Sequence, residues 1–201
     1  MKSRSLIIAF LPLIVFSLLS RALPHNDIGV AGLVAALTAL AALAIARPVW
    51  PPKIITGCSF AVFAVIAALG FTLGRGDDRW LATWGGAGIG IVIGLIILAL
   101  IPIMPFTEQF AREKVPQSRW NSPVFKQINL VLSAAWGAAL VAAGASRVAA
   151  AAINGHTTRR LPDILLGVVL PVLIIIYMLK FSKSYPDRVA HQEPAQAPVV
   201  R

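Results

Sequence analysis

Residues Leu81–Met104 read LATWGGAGIGIVIGLIILALIPIM, without one charged side chain. As a helix this stretch is about 36 Å long, more than the ~30 Å hydrocarbon core of a bilayer. Gly86, Gly90 and Gly94 recur every fourth residue and share one face of that helix. A face of hydrogen atoms lets a second backbone approach closely, which is how helices adhere in lipid.

Five further apolar stretches flank it: Ser5–Ser20, Ile28–Ala46, Ile54–Leu73, Ile128–Ala151 and Pro162–Lys180. Hydrophobic residues make up 58% of the chain and mean hydropathy is +0.80, which excludes an ordinary soluble domain. The pattern predicts an all-α, polytopic bundle of six transmembrane helices over residues 1–184. A disordered, Pro- and Gln-rich tail is expected over 185–201. The first stretch is short and holds Pro12. A signal peptide ending near Ser20-Arg21-Ala22 is the alternative reading of it.

Basic residues orient the bundle. With the N-terminus cytoplasmic, the inner segments hold Lys2, Arg4, Arg47, Lys53, Arg112, Lys114, Arg119, Lys126, Lys180, Lys183, Arg188 and Arg201. The outer segments hold Arg21, Arg75, Arg79, Arg147, Arg159 and Arg160. The asymmetry places both termini inside. The net charge of +10 is spread over loops, so anionic lipid explains it better than nucleic acid. Trp50, Trp80, Trp84 and Trp120 fall near the interfaces and read as anchors. Arg147 reads as a snorkelling cation.

Ala134, Ala138 and Ala142 in the fifth stretch, and Ala31, Ala35 and Ala39 in the second, repeat the four-residue spacing. Close packing among the middle helices follows, with a homo-oligomer seam along the glycines as the alternative. Stretches two–three and four–five each enclose a Pro- and Lys-bearing inner loop and read as repeated hairpins.

The longest loop, 105–127, has its own pattern. Thr107 is placed to cap a short helix ended by Pro116, and Ser122 to cap the next span with Pro123 as its first residue. Phe106 and Phe110 share a face; Glu108 and Arg112 pair at four residues' spacing. This predicts an amphipathic interfacial helix. Phe106, Glu108, Phe110, Arg112, Glu113, Arg119 and Trp120 are its candidate lipid- or partner-binding residues.

Pro105-Phe106-Thr107-Glu108-Gln109-Phe110-Ala111-Arg112-Glu113, Val115-Pro116, Trp120, Ser122-Pro123, Phe125, Asn129 and Trp136-Gly137 together resemble small multi-span bacterial proteins of the intracellular septation protein A group. The resemblance implies a bacterial inner-membrane location and a cell-envelope role. It brings no catalytic assignment.

None of the eight acidic residues lies in mid-span, which disfavours proton-coupled pumping. His25, His156 and His191 show no metal spacing, and no cofactor motif is present. Cys58 reads as a small packing residue. Asn129, Ser133 and Pro171 are the candidates for lining a polar cavity. The functional expectation is a non-enzymatic envelope protein interacting with lipids or membrane partners. A small transporter or lipid-related carrier is the alternative.

Overall fold

The structure is a computed structural model, described here for residues 3–23, 27–45, 54–73, 80–154 and 160–192. These residues are helical apart from short turns, with no strand among them. The segments with Trp50, His25, His156, Arg47, Lys53, Asp77 and Asp78, and the tail from 193, lie outside them.

Helix α1 is Ser3–Ala22, α2 Ile28–Ile45 and α3 Ile54–Thr72. α4 begins with a π turn, Leu81–Gly85, and continues as Gly86–Leu100. The short α5, Phe106–Ala111, and a 3₁₀ turn, Gln117–Arg119, precede the long α6, Pro123–Asn154. α7 joins Arg160–Ile164, a π turn at Leu165–Val169, and Leu170–Gln192. Five of these helices are long and apolar enough to cross a membrane, the mark of a multi-pass membrane protein. α1 has a shorter apolar run, Ile8–Ser20.

Side chains are sorted by size. Ala31, Ala35 and Ala39 of α2 are fully buried, while Leu33, Leu37 and Leu40 face outward. In water this would expose a continuous apolar surface. In lipid it is the favourable arrangement, because large side chains gain nothing by leaving acyl chains and small ones let backbones meet.

Two antiparallel hairpins result. In the α2–α3 hairpin, a Cβ on Gly29 would stand 3.0 Å from the Gly70 carbonyl carbon, and one on Gly32 2.8 Å from the Ala67 nitrogen. In the α4–α6 hairpin, Gly90 abuts Gly144, and Gly94 abuts Gly137 and Val141, at 2.7–3.1 Å by the same measure. The close packing expected among the middle helices is present between α4 and α6, but on α6 it runs through Gly137 and Gly144 and not through the alanine repeat, of which Ala138 and Ala142 are exposed. Gly86 belongs to neither seam; a Cβ there would stand 3.9 Å from the Phe16 ring.

α1 completes the core. Phe16 is fully buried against Phe63, with ring centroids 5.1 Å apart, and Phe10 stacks on Trp136 at 5.2 Å. Arg147, expected to snorkel, is half-buried with Nη1 donating to Ser17 Oγ at 3.3 Å. α7 is peripheral: only 11% of its most apolar window is buried. It runs to Gln192, through Pro186 and into the segment expected to be a disordered tail.

In α7 a π turn stands just before Pro171. Leu170 N–H bonds back to the Leu165 carbonyl, five residues away. Pro171 has no N–H to continue that ladder, so the Leu166 carbonyl is released. The Ser146 hydroxyl, on α6, lies 2.9 Å from that oxygen and also 2.9 Å from the carbonyl of Ala143, its other acceptor. A proline in one helix is thus answered by a serine in its neighbour.

Candidate functional site: the connector between α4 and α6

α4 ends in a tight turn, with the amides of Ile103 and Met104 both bonded to the Leu100 carbonyl. The chain then enters α5. Thr107, expected to cap this helix, does not: Pro105 holds the N-cap position, with no side-chain cap. Thr107 binds α6 instead. Its N–H, one of the amides a helix start leaves unpaired, donates to Ser133 Oγ at 3.2 Å. Its hydroxyl donates to the Asn129 carbonyl at 2.9 Å. Thr107 Oγ1 and Ser133 Oγ are 2.9 Å apart. Since the Thr107 proton is already used, Ser133 donates in that pair. Asn129 Nδ2 donates to the Phe125 carbonyl at 2.8 Å. Thr107, Asn129 and Ser133 are each 0–2% exposed. Every proton of the Thr107–Ser133 pair has an acceptor.

Phe106, Thr107, Glu108, Gln109 and Phe110 are all buried. The phenylalanine rings meet edge to face at 6.1 Å, and Gln109 Nε2 donates to Met104 Sδ at 3.4 Å. α5 therefore does not lie amphipathically on an interface. It is tucked into the end of the bundle against α6.

Charge sits at the margin. Arg112 reaches back one turn, placing Nη2 2.6 Å and Nε 3.1 Å from Glu108 Oε1. Its guanidinium lies 4.8 Å from the centre of the Trp120 ring, and Trp120 Nε1 donates to the Val115 carbonyl at 2.8 Å. The expected Glu108–Arg112 pair forms, and it closes the connector on itself. Glu113, Lys114, Gln117, Ser118 and Arg119 are exposed. The expected cap on α6 also forms: Phe125 N–H donates to Ser122 Oγ at 3.2 Å, with Pro123 as first residue.

Of the candidates for binding, Phe106, Glu108 and Phe110 are thus interior, Arg112 and Trp120 stack on each other, and Glu113 and Arg119 remain at the surface. Of the cavity candidates, Asn129 and Ser133 come together and are filled by Thr107. Pro171 stands apart, beyond the turn that Ser146 seals. Sequence reasoning missed Thr107's true partner, Ser146 and the pair Trp136–Ser182, whose Nε1–Oγ distance is 2.8 Å. Among the described residues no three His, Cys, Asp or Glu side chains gather.

Comparison of the chain with family models, curated proteins and solved structures gives no match.

Proposed function

We propose that this chain is a non-enzymatic bacterial inner-membrane envelope protein, related to the septation protein A group. On this reading it crosses the membrane six times with both termini cytoplasmic, and engages anionic lipid or a membrane partner through the connector. The observation that carries the reading is the division of labour in residues 105–122. The apolar half of the connector is locked into the bundle by Thr107, Asn129 and Ser133. The cations Lys114 and Arg119 stand exposed on a fixed base. A rigid basic rim pays little ordering entropy when it meets a negative surface, and each cation near such a surface contributes about 1 kcal/mol.

The test is the double variant Lys114→Ala/Arg119→Ala. Retention of copurifying lipid or protein partner should fall at low ionic strength, and the difference should shrink in high salt. Unchanged retention with the bundle still folded would remove the connector from this role. The carrier reading draws support from the two similarly built hairpins, α2–α3 and α4–α6. It requires α5 to leave Asn129 and Ser133, so tethering residue 107 to residue 133 through a cysteine pair would abolish transport.

A further inference from the structure

α6 and α7 are pinned together at two levels. The Ser146 hydroxyl reaches the Leu166 carbonyl at one, and the Trp136 indole reaches the Ser182 hydroxyl at the other. Between these levels the α6 side of the interface is lined by Ala138, Ala139 and Ala142, with Ala135 just beyond Trp136. Short side chains cannot fill the space between helices held at both ends. A cleft of ≈ 510 Å³ opens there, bounded on α7 by Leu173, Tyr177 and Met178.

The cleft lies at the middle of α6, one of the helices long and apolar enough to cross a membrane. Its mouth faces outward, because Ala138, Ala142, Leu173 and Tyr177 are all exposed. An apolar cavity of only ~150 Å³ holds a benzene ring, so this one has room for a chain of many methylenes. Its mouth opens outward from an apolar face, where the surrounding material in a membrane is acyl chain.

A cation stands at one end. Lys180 follows Tyr177 by three residues, on the same side of α7 and nearer the connector end, and it is exposed. Lys183, six residues on from Tyr177, projects from a different side. Rings mark the same descent: Tyr177 stacks on Phe181 at 6.3 Å, and Phe181 packs on Tyr185 at 5.2 Å.

We propose that the α6–α7 cleft is a binding site for one anionic phospholipid, an acyl chain lying along the alanines and the headgroup phosphate meeting Lys180. This site shares no residue with the connector and does not rest on the role proposed for it.

The full chain, delipidated in detergent, is titrated with phosphatidylglycerol or with phosphatidylcholine of the same chains. Bound lipid is counted by native mass spectrometry. The parent should retain one phosphatidylglycerol in preference to phosphatidylcholine. Ala142→Leu, which fills the cleft from an exposed position, should weaken that binding at least tenfold. Lys180→Gln should weaken phosphatidylglycerol about fivefold and leave phosphatidylcholine unchanged, whereas Lys183→Gln should do neither. Lys180 is at the surface, so its variant folds even if the leucine variant does not. Equal retention of the two lipids by the parent, or parental retention by Lys180→Gln, would overturn the proposal. The connector is read separately, on Lys114→Ala/Arg119→Ala.

Discussion

Thr107 shows how little sequence distance says about a buried hydroxyl. It stands at the start of a short helix, where threonine ordinarily turns back on its own amides. It turns instead to α6, because α5 is drawn inward by Phe106 and Phe110 and its first amides must be satisfied there. Thr107→Val keeps the shape and removes the hydroxyl, leaving Ser133 with a proton to place. We expect a loss of about 1–2 kcal/mol, above the ~0.6 kcal/mol typical of a hydrogen bond between membrane helices, because two bonds go together. Thr107→Ser should retain most of the stability. Unfolding of both variants in mixed detergent measures this, and equal stability of Thr107→Val and the parent would mean the network is idle. Arg112 behaves as part of the fold, for the same reason of location. Arg112→Ala leaves the Glu108 carboxylate, 8% exposed as a residue, without its guanidinium. A fully buried pair broken this way costs ~3–5 kcal/mol, but Arg112 keeps 31% of its side chain in solvent, so about 1–3 kcal/mol is appropriate. Glu108→Gln in the same chain should recover much of that. A thermal shift no larger for Arg112→Ala than for Arg119→Ala would place both on the rim.

Between helices, the decisive quantity is how near two backbones come. Gly94→Ala drives a methyl to 2.7 Å from the Gly137 carbonyl oxygen, whereas a Cβ on Gly88 meets nothing within 4 Å. Gly94→Ala should therefore destabilise the bundle by about 1–3 kcal/mol, the usual range for overpacking, and Gly88→Ala should be neutral or slightly stabilising. Melting temperature in detergent distinguishes them, and matching losses would show that α4 and α6 are not in contact along this seam. On the same helix Ile97 is only 2% exposed, and Ile91 lies against Gly144. The long helices were legible from the sequence, because apolar runs of about twenty residues with almost no charge have few other fates. So were two of the three α4 glycines, Gly90 and Gly94, from their four-residue spacing; Gly86 shares the spacing but not the seam. The seam's partners on α6 were not. Alanines every fourth residue in α6 resemble a packing face, yet Gly137 and Gly144, seven apart, are the ones that touch. A sequence records which faces are small but not how far α6 is rotated; in the observed rotation Trp136 reaches both Phe10 and Ser182. The α5 helix misled for a related reason. Its Phe, Glu and Arg spacing fits an interfacial helix, and only packing reveals that the apolar face is covered by protein instead of lipid.

At the scale of the whole molecule, the question is how many times the chain crosses. The bond from Trp136 to Ser182 shows α7 returning toward the end of α6 where the connector lies. Lys180, Lys183 and Arg188 therefore stand on the connector's side, with Lys114, Arg119 and Lys126, and all six are cations. Such an accumulation at one end favours a cytoplasmic face. A reporter fused after Arg201 should accordingly be cytoplasmic, and one inserted near Gly76 external. α1 decides the remainder. Its 20 residues are about 30 Å long, yet the apolar run Ile8–Ser20 covers only about 20 Å of that, less than the bilayer core. Phe16 and Ala9 are nevertheless buried among α2, α3 and α6, which ties α1 to the bundle along its length. Local thinning and snorkelling ends can accommodate the mismatch at a fraction of a kcal/mol per Å. An N-terminal tag should then share the cytoplasmic side with the C-terminal reporter. An external N-terminal tag with a cytoplasmic C-terminus would mean five crossings, with α1 packed against the bundle without completing its passage. An external C-terminal reporter would reverse the orientation and turn the connector's basic rim away from the cytoplasm.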